Sequence, residues 1–179
     1  MKHLLTLARR IDWLSDRFGD LAKWAVLAAC LISAGNAAVR YALSIGSNAM
    51  LEIQWYLFAG LVMFGAAQVL RVNEHVRVDV VYGLYPTRTK VIVDLLGLCF
   101  FLLPAMGVIA WLSLPYLAKM YASGEMSSNA GGLIRWPVMA TIPLGLGLLM
   151  LQALAEIIKR IGWLMHVYEM DTHYERPLQ

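Results

Sequence analysis

The stretch Leu51–Asp79, LEIQWYLFAGLVMFGAAQVLRVNEHVRVD, constrains this chain more than any other. A long apolar segment carrying one carboxylate near its start, Glu52, runs directly into a charged sequence ending in His75, Val76, Arg77, Val78 and Asp79. An apolar run of about 20 residues, wound as a helix rising about 1.5 Å per residue, matches the hydrocarbon thickness of a bilayer. The stretch therefore predicts a membrane span with a charged exit.

Composition extends the point to the rest of the chain. Of 179 residues, 60% are hydrophobic and 15% charged, and the mean hydropathy is +0.61. A soluble domain is roughly 45–50% apolar and about 25% charged, so several spans are expected. The net charge of +3 is small and its basic residues are dispersed, which argues against a nucleic-acid partner. Cys30 and Cys99 lie inside apolar runs, where a free thiol behaves as a small hydrophobe. The first apolar run follows a charged stretch and has no cleavage signal behind it, so it reads as a retained span and not a signal peptide.

In residues 1–21, Leu4, Leu7, Ile11, Leu14 and Phe18 recur at spacings of three and four among Arg9, Arg10, Asp12, Asp16 and Arg17, with Trp13 beside them. This pattern predicts an amphipathic helix on the membrane surface, or alternatively an extension packed on a neighbouring protein. The four-span membrane domain then covers 22–158, with spans at about 24–45, 49–70, 91–117 and 137–158. In the first span Ala25, Ala29, Ser33 and Ala37 offer a small-residue face, and Asn36 and Arg40 extend the polar side of it. Such a face should look at protein. Arg40 either joins an ion pair with Glu52 across the short link SIGSN or snorkels to the nearby surface.

The second span presents Glu52, Tyr56, Ala59, Met63 and Ala66 on one face, and Gln54, Phe58, Leu61, Gly65 and Gln68 on another. An arm over 71–90 follows, read as a short surface helix or irregular segment. In the third span Asp94 lies one turn after Lys90, the spacing of a helical ion pair, and Pro104 and Pro115 should kink the helix or end it early. A polar, glycine-rich loop over 118–136 leads to Pro137, which suits the first turn of the fourth span. A charged tail over 159–179 closes the chain. Lys and Arg concentrate in the amino end, the arm and the tail, which places both termini and the arm in the cytoplasm and the 118–136 loop in the periplasm. The fold class is thus an all-α integral membrane protein with four transmembrane helices.

Chemistry has few footholds. The four histidines, His3, His75, His166 and His173, all lie outside the spans. Neither a haem held between helices nor a histidine-based serine protease can be built there. There is no GxxxxGK[ST] phosphate loop and no metal-ligand spacing, so neither an enzyme nor a cofactor in this chain is expected. The candidate structural or partner-contacting residues are Arg40, Glu52, Tyr56, His75, Arg77, Asp79 and Asp94. Two rivals stand beside a scaffold role: a homodimeric proton-coupled exporter with Glu52 as its relay, and a membrane anchor for a redox enzyme.

A family resemblance adds to these readings. Arg40–Tyr41, Glu52 opening the second span, Gly65–Ala67 late in it, His75–Asp79 after it, and Glu125–Trp136 with Gly131 and Gly132 before the fourth span occur in order along nearly the whole chain. In these features the chain resembles the small, DctQ-like membrane subunit of tripartite ATP-independent periplasmic (TRAP) transporters. Where many members carry two adjacent acids, this chain has Glu52 followed by Ile53. The resemblance implies a scaffold subunit in a heterodimer with a much larger multi-span subunit, which holds the sodium and substrate sites. It further implies sodium-driven import of organic acids or related solutes, delivered by a periplasmic binding protein, in a bacterial inner membrane.

Overall fold

A computed structural model describes residues 1–73, 82 and 84–169 of the chain. Four helices dominate it: α1 (Lys2–Leu43), α2 (Asn48–Val72), α3 (Thr87–Ser123) and α4 (Trp136–Leu164). All four are long and apolar enough to cross a membrane, and no strand occurs among the described residues. Local signals set the boundaries. Ser44 ends α1 in the left-handed region at φ 56°, and the Ser47 side chain caps α2 by accepting from the Met50 amide at 3.4 Å. Asn73 ends α2, again left-handed at φ 61°.

α1 differs from expectation. It passes through Leu21 without a break, so residues 1–21 and the first span form one helix of 42 residues, roughly 63 Å long at 1.5 Å per residue. The amino-terminal segment is therefore not a separate helix set off from the first span. Its protein-facing side is also not the Leu4, Leu7 and Ile11 stripe; Leu4 and Leu7 are exposed, whereas Leu5, Ala8, Ser15, Gly19 and Ala22 are buried. Small residues govern this choice, because they let helices approach closely. A Cβ on Gly19 would overlap the Gln68 side chain, and one on Gly65 would sit 3.8 Å from Ala22 Cβ. Phe18 packs on Phe64 with centroids 5.3 Å apart.

α3 also continues further than its prolines suggested, reaching Ser123 past both Pro104 and Pro115. Pro104 has no N–H to give the carbonyl four residues back. The chain absorbs this with one π-helical segment, Leu98–Leu102, in which the Leu103 amide bonds to the Leu98 carbonyl. At Pro115 the helix runs on, and nearby Ser113 donates to the Ala110 carbonyl at 2.7 Å.

α4 is the helix on which the others converge: α1, α2 and α3 all pack against it, and α1 also packs along α2. Leu70 of α2, Leu98 of α3 and Ala153 of α4 form a buried apolar cluster with Leu102, Leu103, Leu149 and Ile157 around it. Gly145 brings α4 against α2, since a Cβ there would stand 2.7 Å from the Met63 carbonyl oxygen. Outside this trio α3 leaves most of its surface open, with Phe100, Phe101 and Trp111 about 70% exposed or more, as a helix bathed in lipid or facing a partner does.

Candidate functional site

Two polar sites occupy opposite ends of the bundle. The first begins with a face of α2. Asn48, Glu52 and Tyr56 follow one another at intervals of four, so a helix stacks them on one side. All three hold the loop between α3 and α4. Glu52 Oε1 accepts from the Ser127 hydroxyl and from Asn129 Nδ2 (2.8 Å), while Oε2 accepts from the Leu133 amide at 2.7 Å. Asn48 Nδ2 donates to the Ala130 carbonyl at 2.9 Å, and the Tyr56 hydroxyl to the Ile134 carbonyl at 2.8 Å. Glu52 itself is 4% exposed.

The loop is shaped to receive that carboxylate. Gly124 turns the chain out of α3 at φ 60°, and Gly131 reverses it at φ 69°, a region that glycine enters without a Cβ penalty. Met126 and Ile134 pair in an antiparallel bridge, and the Ser127 amide bonds to the Leu133 carbonyl at 2.9 Å. Arg135 closes the base through Glu125 at 2.8 Å. At Gly132 a Cβ would lie 2.9 Å from Glu52 Oε1 and 2.6 Å from Ser127 Cβ. The glycine is what lets backbone approach the carboxylate.

This corrects the expected Arg40–Glu52 ion pair. The α1–α2 register sets Asp16 against Arg71, Gly19 against Gln68 and Ala22 against Gly65. Continued at equal rise, it brings Gly35 and Asn36 level with Glu52, and Arg40 level with Ser47. Asn36 is accordingly buried at 7%, whereas Arg40 is exposed and runs beside the turn at Gly46. The loop supplies the partners that Arg40 does not.

The second site lies where α1 begins and α4 ends. Gln152, Glu156, Lys159 and Arg160 form one buried face of α4, none more than 7% exposed. Gln152 accepts from Ser15 at 2.7 Å and donates to Asp12 at 2.8 Å. Lys159 reaches Asp12 at 3.0 Å and also pairs with Glu156. Arg160 bonds Glu156 and extends to Asp94 at 3.2 Å, and Asp94 accepts from the Tyr82 hydroxyl at 3.0 Å. Beside this layer Arg71 pairs with Asp16 at 2.6 Å. Of these residues only Asp94 was a candidate from sequence. The missed signal was spacing: positions 152, 156, 159 and 160 share one helical face, so Lys159 and Arg160 belong with α4 and not with a solvated tail. Candidates His75, Arg77 and Asp79 lie outside the described residues, as do 74–81 and 83 of the 71–90 arm.

Four spanning helices locked by buried polar contacts at both ends, with much of their outer surface apolar, define a multi-pass membrane protein. Family comparison narrows the class. The family described as "Tripartite ATP-independent periplasmic transporters, DctQ component" matches residues 29–162, and the chain belongs to that family. It is thereby a small permease component of a TRAP transporter. Neither a curated protein nor a solved structure matches the chain.

Proposed function

We propose that this chain is the static scaffold of a sodium-coupled TRAP transporter importing organic acids or related solutes. It pairs with a large multi-span subunit that carries the sodium and substrate sites, and it performs no catalysis and binds no cofactor of its own. The periplasmic loop, 118–136 in the sequence reading, contributes to the surface where a substrate-binding protein docks. Both termini and the charged layer lie on the cytoplasmic side of the inner membrane, where Lys and Arg accumulate.

The observation that carries this reading is the saturation of Glu52. Three donors from the loop engage both of its carboxylate oxygens, so the one acid near the start of the second span is engaged in structure and is poorly placed to relay ions. A four-span exporter working through Glu52 would need that group accessible in turn from each side.

The test is to tag the chain, extract native membranes in mild detergent and identify what co-purifies. One large multi-span protein in equal amount is the expected result. A homodimer that moves protons after reconstitution alone would overturn the scaffold reading.

A further inference from the structure

On α1, Arg10, Trp13, Arg17, Leu21, Trp24 and Leu31 follow one another at steps of three, four and seven, which stacks them on one side of the helix. All six are exposed. Across the helix the small residues turn inward, Ser15 meeting Gln152 of α4 while Gly19 and Ala22 meet α2. Arg9 borders the outward side and is also exposed. None of the three arginines joins an ion pair among the described residues. Arg17 lays its guanidinium over the Trp13 ring, 5.4 Å from the centroid, and the exposed Asp20 is taken up by Lys23 at 3.1 Å. The face therefore carries three positive charges that nothing beside them offsets.

Contacts with α4 set the depth of this face. Leu5 packs at Gly162, roughly 39 Å along α4 from Trp136, and Ser15 bonds Gln152, roughly 24 Å along it, at 1.5 Å per residue. A hydrocarbon core is about 30 Å thick, and the polar loop before Trp136 marks its far boundary. The near boundary thus crosses α1 between Leu5 and Ser15. Arg9 and Arg10 stand at the level of lipid phosphates, and Arg17 reaches back one turn toward them over Trp13, an indole of the kind that settles at that boundary.

Residue size separates lipid from a partner helix. Helices packing within a membrane approach through small side chains, and in this half of α1 those are the inward ones. The outward face continues into the span as Trp24, Leu27 and Leu31, all large and exposed.

We propose that this face binds anionic phospholipids, their phosphates held by Arg9, Arg10 and Arg17 and their acyl chains lying along Leu21, Trp24 and Leu31. The binding belongs to this chain alone, so it stands or falls apart from the scaffold role.

The experiment uses the full chain, purified in mild detergent and exchanged against equal amounts of palmitoyl-oleoyl-phosphatidylglycerol and palmitoyl-oleoyl-phosphatidylcholine, with retained lipids counted by native mass spectrometry. Phosphatidylglycerol should be retained in excess. Arg10→Gln together with Arg17→Gln should lower that excess by about fivefold or more, the order that a single basic residue near an anionic headgroup layer contributes, with the helical circular dichroism spectrum unchanged. Arg40→Gln together with Lys119→Gln removes the same charge from exposed positions near the other end of the bundle and should leave the excess intact. Equal retention of the two lipids by the wild type, an excess untouched by the first pair, or one lowered equally by both pairs overturns the proposal. Loss of a co-purifying protein from the first pair with the lipid excess unaltered also overturns it, by giving the face to an acidic partner helix.

Discussion

The two polar ends of the bundle solve the same problem by opposite means. At the loop end a single carboxylate, Glu52, is surrounded by uncharged donors from a short segment, with Asn48 and Tyr56 beside it. At the other end Asp12, Asp94, Glu156, Lys159 and Arg160 pair with one another across α1, α3 and α4. The first arrangement fastens a loop onto a helix. The second fixes how three helices cross, because each charge depends on partners from another element. Losing a hydrogen bond to an exposed edge is tolerable, whereas an uncompensated buried charge is not.

The comparison breaks most sharply at Glu156, which contacts Gln152, Lys159 and Arg160 together. Glu156→Leu should destabilise the bundle by about 3 kcal/mol or more, because it removes three charge-assisted hydrogen bonds at once, although Lys159 keeps Asp12 and Arg160 keeps Asp94. Thermal unfolding in detergent would register this as a lowered midpoint and poor recovery of the monomer. Glu52→Ala should act more locally. It strands the donors of Ser127, Asn129 and Leu133 at a cost of about 1.5–3 kcal/mol, seen as faster amide exchange in residues 125–135 while exchange at the start of α1 stays unchanged. If both regions respond alike, the ends are not independent. Tyr56→Phe removes one neutral hydrogen bond to Ile134 and should cost about 0.5–1.5 kcal/mol, read as a small rise in loop exchange with the unfolding midpoint nearly unmoved.

These regions were unequally legible in the sequence. Glu52, Tyr56 and Asp94 stood out because polar groups in an apolar run are costly and therefore informative. Glu52's partner did not, since Arg40 is nearer in sequence than Ser127 and the helical register that separates them is a property of packing. Lys159 and Arg160 followed an apolar run and so looked like flanking charges; α4 in fact continues through Leu164 and turns both residues inward. The amino-terminal stripe of large apolar residues suggested a membrane-facing side; Leu4 and Leu7 are exposed while Leu14 and Phe18 are half-buried, and small residues decided where α1 meets its neighbours.

The sequence by itself determined that four spans occur and in what order, because apolar length acts within a few turns of chain. It also carried the family, through motifs spread over the same spans. Tertiary structure alone decided which charges pair, that α1 remains one helix, and that the glycine-rich loop folds down onto α2. Those outcomes depend largely on contacts between residues far apart in the chain, such as Glu52 with Ser127 and Asp12 with Lys159. Close approach at Gly19, Gly132 and Gly145 selects one register among several that the apolar pattern would allow.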